Sequence, residues 1–127
     1  MQNTFYQDVV VNFHNILYSD PFHLQRLYRT KRYIDVNFES KIDLKDLALL
    51  QGFSTCHLLR LFKSYYGITP KQYQISKRIK EAKNKLKNGC KVSESCYDVG
   101  FHSVATFSTL FKRKTGMTPS LFKKSNF

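Results

Sequence analysis

An internal repeat constrains this chain more than any other feature. Leu44, Ala48, Gly52 and Phe53 recur 48 positions later as Val92, Cys96, Gly100 and Phe101, while Leu58, Gly67, Thr69, Pro70 and Tyr73 recur 49 positions later as Phe107, Gly116, Thr118, Pro119 and Phe122. The one-residue slip is expected early in the helix after the Gly-Phe pair. Self-similarity at a fixed period means that one small supersecondary unit is used twice. Each copy reads as a short helix, a glycine turn, a second helix with Phe-Lys near its end (Phe62-Lys63, Phe111-Lys112), and Gly-x-Thr-Pro opening a third helix.

No stretch alternates apolar and polar residues long enough for a strand, whereas period-3.6 patterns recur throughout, so the expected fold class is all-α. Phe5, Val9, Phe13, Ile16 and Leu17 share one face after an Asn3/Thr4 cap, which predicts an N-terminal helix over 5–18. Asp20-Pro21 reads as the N-cap and first position of a helix that turns Leu24, Leu27, Tyr28, Ile34 and Phe38 inward. Asp43 caps a short helix ending before Gly52, and Ser54 caps another running to Tyr66 with Gly67 as its C-cap. Thr69-Pro70 opens a long helix with Ile75, Ile79, Ala82 and Leu86 on its apolar face, stopped by Asn88-Gly89. The implied boundaries are an N-terminal helical extension over 1–30, a first subdomain over 31–69, a linker helix over 70–88 and a second subdomain over 89–127.

Two short helices crossing steeply need a small residue on the first helix and a glycine in the turn. Ala48 with Gly52, and Cys96 with Gly100, supply that pair, so each unit reads as a helix-turn-helix. In the second helix of the first unit, Leu58, Leu61, Phe62 and Tyr65 lie at i, i+3, i+4 and i+7 and face the core. Thr55, Cys56, Leu59, Arg60 and Lys63 are left outside. The same wheel for the second unit buries Phe107, Leu110 and Phe111 and exposes Val104, Ala105, Thr106, Ser108, Thr109 and Lys112. Arg60 suits a bidentate pair with guanine, Val104, Ala105 and the Thr106 methyl suit thymine methyls, and Ser108 and Thr109 are permissive readers. Ser54, His57, Lys63, Ser103, Lys112 and Arg113 are placed for phosphates. The second unit is expected to read less sharply than the first. Leu59 and Val104 also fit a protein interface, which keeps a protein-interaction module open as an alternative.

The chain has 127 residues and a formal net charge of +12. Residues 1–59 are neutral, with six basic residues balancing six acidic ones; the other fifteen Lys/Arg face only Glu81, Glu94 and Asp98. The whole excess therefore lies from Arg60 onward, which points to a polyanion, double-stranded DNA first. A non-specific architectural nucleic-acid binder shares this charge. The longest apolar runs, Val9-Val10-Val11 and Leu47-Ala48-Leu49-Leu50, are far too short to span a membrane, so a soluble cytoplasmic protein is expected. Cys56, Cys90 and Cys96 are odd in number with no C-x-x-C spacing, and His57 and His102 have no second ligand at metal spacing, so neither a metal nor a cofactor is expected. No nucleophile-base set, phosphate-binding glycine loop or paired acidic cluster suggests an enzyme.

Over about residues 30–125 the chain resembles the DNA-binding region of AraC/XylS-type transcription regulators. The residues that carry the resemblance are Tyr33-Ile34-Asp35-x-Asn37-Phe38, Leu44-x-x-Leu47-Ala48, Gly52-Phe53-Ser54, Leu58-x-x-Leu61-Phe62-Lys63, Gly67-Ile68-Thr69-Pro70-x-x-Tyr73, Arg78-Ile79-x-x-Ala82, Val99-Gly100-Phe101-x-Ser103, Phe107-x-x-x-Phe111-Lys112 and Gly116-Met117-Thr118-Pro119. The resemblance implies two helix-turn-helix subdomains joined by a long helix, with both recognition helices entering successive major-groove segments on one face of the duplex. It points to Cys56, Leu59 and Arg60, with Thr55 beside them, for base contacts in the first unit. It also implies transcription regulation, activation before repression, RNA polymerase as a further partner, and a monomer on a non-palindromic site. The 5–18 helix then acts as a lid on the first unit or as a homodimer contact. Two departures stand out. Ser95 and Cys96 occupy positions where the family's second unit usually has Ile-Ala, which is expected to loosen that helix's packing. Only about thirty residues precede the resemblance, where most members of the family carry a sensor domain, so either a small stand-alone member of MarA type or a fragment is expected; Met1 and the compact start favour the former expectation.

Overall fold

The computed structural model describes residues 21–126. The expected 5–18 helix, its Asn3/Thr4 cap, its lid or dimer role and the Asp20 cap lie outside them. The described residues form seven helices and no strand: α1 (Pro21–Asn37), α2 (Leu44–Leu50), α3 (Thr55–Tyr66), α4 (Pro70–Lys87), α5 (Val92–Asp98), α6 (Val104–Thr115) and α7 (Pro119–Ser125).

The helix boundaries follow local chemistry. Asp43 accepts from the Lys45 and Asp46 backbone N–H groups, Ser54 from that of His57, and Ser103 from that of Thr106. Each satisfies a donor that the first helical turn leaves unpaired. At the start of α4, Thr69 Oγ1 accepts from Gln72 N while Gln72 Oε1 accepts from Thr69 N, a reciprocal capping box. Gly67 and Gly116 close α3 and α6 in the same left-handed conformation. The α5 start differs from its counterpart in α2, because Lys91 stands at the cap and makes no side-chain cap bond. The slip in the repeat falls in the turn rather than in the helix: His102 separates Phe101 from the cap Ser103, whereas Ser54 follows Phe53 directly.

The described chain divides into two compact units, one of residues 21–36 and Ile42–Tyr73, the other of Asn37–Lys41 and residues 74–126. This division replaces the expected boundaries. Residues 21–30 are not an appendage, since Leu27 and Ile34 of α1 are buried with Leu47, Ala48, Phe53, Leu58, Leu61 and Phe62. Nor is α4 only a linker, because its Ile79, Ala82 and Leu86 are buried with Cys96, Val99, Phe101, Phe107 and Phe111. Each unit is thus a long helix followed by a helix-turn-helix. Tyr28, expected inward, is 56% exposed; one residue on from Leu27, it is rotated by about 100° from that buried position.

Side chains fix the long helices to their units. In the first, the Tyr73 hydroxyl donates to Asp35, and Lys31 lies 5.7 and 5.9 Å from the Tyr66 and Tyr73 ring centres. Burial, then Tyr65 and Asp35, push the Tyr66 hydroxyl up to about 12. In the second, Arg78 donates to the carbonyls of Phe38 (2.6 Å) and Ser40 (3.1 Å), and Gln74 donates to the same two. The guanidinium also stands 5.4 Å over the Phe101 ring.

Ser95 and Cys96 are both fully buried in α5. Burial pushes the Cys96 thiol up and keeps it protonated. Ser95 occupies the place that Leu47 fills in the first unit, and its hydroxyl has no hydrogen-bond partner. A buried hydroxyl without a partner costs about 1–3 kcal/mol. Ser95→Ala is therefore expected to leave stability unchanged or raise it by about 1 kcal/mol in chemical denaturation; a loss of that size would show that the hydroxyl is satisfied.

Candidate nucleic-acid interface

The core-facing and outward rows of α3 are set by one periodicity. Leu58, Leu61 and Phe62 are buried and Tyr65 packs half-buried against them, while Cys56, Leu59, Arg60 and Lys63 form the outer row at i, i+3, i+4 and i+7. Cys56, Arg60 and Lys63 are exposed; Thr55, His57 and Leu59 are half-buried. Leu59 thus offers only part of its side chain outside.

In α6 the positions equivalent to that row are Ala105, Ser108, Thr109 and Lys112. Ala105, Thr106, Thr109, Lys112 and Arg113 are exposed and Ser108 is half-buried. Val104, expected outside, is half-buried against the second core, because a residue in the first turn after the cap leans back over Phe101 and Phe107's cluster. Its methyls are committed largely to packing. Thr109 Oγ1 donates to the Ala105 carbonyl at 3.0 Å, so its hydroxyl is left as an acceptor. Helices α3 and α6 therefore present different chemistry from equivalent positions. The first carries a thiol, an aliphatic edge and a guanidinium. The second carries a methyl and two hydroxyls.

The caps sit at the same helix ends. Ser54 and Ser103 are exposed, with their oxygens engaged by the His57 and Thr106 N–H groups, leaving the hydroxyl hydrogens to donate outward. Lys112, Arg113 and Lys114 gather in the last turn of α6. His57 is held below the usual imidazole range, first by burial and then by His23 and Arg60.

Two residues beside this surface were not expected there. His23 lies with its ring 5.6 Å from that of His57 and 5.6 Å from that of Phe53, and the Arg26 guanidinium stands 5.6 Å over the Phe53 ring. Both belong to α1, in the half of the chain with no net charge. The signal for Arg26 was a second repeat spacing: Leu27, Thr30 and Ile34 stand 52 positions before Ile79, Ala82 and Leu86, and Arg26 stands 52 before Arg78. Among the described residues, no group of His, Cys, Asp or Glu is arranged to hold a metal ion, and no helix is long and apolar enough to cross a membrane. Cys56 is exposed and Cys90 half-buried; neither is paired in a disulfide.

Two capped helices, each sealed on one side into its own core and open along an outer row on the other, define a tandem helix-turn-helix protein. A family model described as a helix-turn-helix domain matches residues 47–125. The chain belongs to the AraC-type family of helix-turn-helix transcription regulators. It is 39% identical over 93 residues to the bifunctional transcriptional activator/DNA repair enzyme AdaA of Bacillus subtilis, covering 72% of this chain and 44% of that one. The fold is shared with a probable AraC family transcriptional regulator from Rhodopseudomonas palustris, at a TM-score of 0.74 and 21% identity over 80% of this chain and 97% of that one. It is shared as well with the DNA-binding domain of the global transcriptional factor AdpA, solved in complex with a target DNA, at a TM-score of 0.72 and 24% identity over 78% and 90%. The chain spans between 37% and 55% of the length of three curated relatives that it matches.

Proposed function

We propose that this protein binds double-stranded DNA sequence-specifically as a monomer, each recognition helix reading one half-element of a non-palindromic site, and that it activates transcription with RNA polymerase. The observation that carries the reading is the difference between the two outer rows. Arg60 and Thr109 occupy equivalent positions, yet one is an exposed guanidinium and the other a hydroxyl already donating to its own helix. Two unlike readers in tandem call for two unlike half-elements. In this reading Thr55, Cys56, Leu59 and Arg60 make the base contacts of the first unit, and Ala105, Thr106, Ser108 and Thr109, with the accessible edge of Val104, those of the second. Ser54, His57, Lys63, Ser103, Lys112 and Arg113 hold phosphates. Support for the DNA partner comes from the AdpA complex, and for activation from the activator named in AdaA.

Selection of bound sites from random duplexes at near-physiological salt tests the reading. An asymmetric motif is expected, and no motif at all would leave the non-specific architectural binder in its place. A symmetric footprint that needs a dimer at every concentration would remove the monomer. With about six phosphates neutralised, log K is expected to fall with log salt at a slope of about −5, measured by titration on the selected site. Transcription from that site with purified RNA polymerase then separates activation from repression by sign.

A further inference from the structure

We infer that residues 1–20 of this chain dock on the outer face of the first unit, across α1 and the end of α2, and cover an apolar surface that the second unit lacks. On the side of α1 opposite Leu27, Thr30 and Ile34, Tyr28 and Val36 are 56% and 64% exposed and Tyr33 is 42% exposed, while Leu50 at the end of α2 is 72% exposed. Arg29 and Arg32 are exposed on the same side of α1. The repeat provides an internal comparison. At the 52-residue spacing Tyr28, Tyr33 and Val36 correspond to Lys80, Lys85 and Asn88 of α4, and at the 48-residue spacing Leu50 corresponds to Asp98 of α5. Lys85 and Asp98 form an ion pair at 3.7 Å, so the two places that opposite charges hold in the second unit are held by an aromatic ring and a leucine in the first. Single exposed apolar residues are ordinary, but several made apolar together on one face of a repeated unit mark a surface that something covers.

Charge and length select the occupant. A second copy seated on this face about a two-fold axis would bring Arg29 and Arg32 up against their own equivalents. Residues 1–20, which lie outside the described residues, contain no Lys or Arg and include Asp8 and Asp20, opposite in sign to those arginines. They also carry the apolar row Phe5, Val9, Phe13, Ile16 and Leu17 at helical spacing, which needs a face to be buried against. The segment leads directly into α1 at Pro21. Ser19 and Asp20 alone separate the helix predicted over 5–18 from α1, a connection of the length that joins antiparallel helices. Folded back, the row from Phe5 to Leu17 runs about 18 Å against about 21 Å from Phe22 to Val36. So short a tether keeps the segment at high effective concentration beside the face, an advantage that no separate chain has.

Amide hydrogen exchange on the full chain, without DNA, tests the docking. Amides within 5–18 are expected to exchange about tenfold or more slowly than an unstructured chain. Val36→Lys and Leu50→Lys, made separately, should each remove that protection while the amides of α3 and α4 keep theirs, because both side chains lie outside the core. Phe13→Ser should do the same from the other side of the contact. Leu50→Lys keeps the result readable even where Val36→Lys disturbs the end of α1. Protection in 5–18 that survives both Lys variants overturns the docking, as does its absence from the unaltered chain. Protection that appears only as protein concentration rises, together with a doubled mass in sedimentation, gives the face to a second copy and overturns it as well.

Discussion

Gly100→Ala is expected to unfold the second unit, with a loss above about 3 kcal/mol in chemical denaturation. The glycine has φ +106°, where a side chain is strained, and a Cβ built there would stand 2.3 Å from the Glu39 carbonyl oxygen and 2.8 Å from its carbon. Those atoms are backbone and cannot rotate away. The segment that carries them is itself held, because Arg78 and Gln74 donate to the flanking carbonyls of Phe38 and Ser40. Moving Glu39 to admit a methyl group therefore breaks charge-assisted bonds in a second place. Gly52, the equivalent residue of the first unit, provides the control. Its φ is +74°, and the nearest atom to a built Cβ is the end of the Arg26 side chain at 4.0 Å. Gly52→Ala should cost only the conformational strain, about 1–2 kcal/mol. Equal losses at the two sites would show that the Glu39 contact does not hold the second unit.

That asymmetry was hidden in the sequence, where both glycines carry the same label in the same repeat. The helix-turn-helix signals were legible because each rests on local chemistry: Asp43, Ser54, Ser103 and Gly67 act within a few residues of themselves, and a one-turn motif needs no knowledge of the rest of the fold. The relation between α1 and α4 was not legible. Leu27 pairs with Ile79, Thr30 with Ala82 and Ile34 with Leu86, so at its buried positions the repeat keeps burial without identity, and the identical pair Arg26 and Arg78 lies outside that apolar pattern. Thr30 tolerates the place of Ala82 only because its hydroxyl donates to the Arg26 carbonyl at 2.9 Å. Missing this pairing made residues 21–30 look like an extension and α4 look like a spacer. It also misplaced the charge. Counting along the chain put every excess cation from Arg60 onward, but folding brings Arg26 and His23 to the first recognition helix, and a linear count has no access to that. On α3 the wheel places Cys56, Arg60 and Lys63 outside, where they are exposed, but Thr55 and Leu59, also expected there, are half-buried. Val104 was missed because a position one residue after the cap is half sheltered by the turn that precedes it.

The largest effect on recognition is expected at Arg60. Arg60→Ala should remove preference at one base pair of the selected site at a cost of about 1–3 kcal/mol, with affinity for random duplex lowered much less. Its exposed position on α3, with Leu58, Leu61 and Phe62 sealing the opposite face, means that the truncation leaves the core untouched, so stability serves as the internal check. Lys112→Ala is the contrasting change. Lys112 is also exposed, in the last turn of α6, but a compact ammonium suits a phosphate as a point charge rather than a base edge in a planar pair. Its loss should weaken every sequence alike and make the salt slope shallower by about one. Affinities measured for both variants on the selected duplex, on single-base changes of it and on random duplex separate the two roles, because only a base reader changes the ranking of sequences. If Arg60→Ala lowered all of them equally, Arg60 would join Lys112 among the phosphate contacts. The selectivity of the first unit would then rest on Thr55, Cys56 and the exposed edge of Leu59, which carry no comparable bidentate donor.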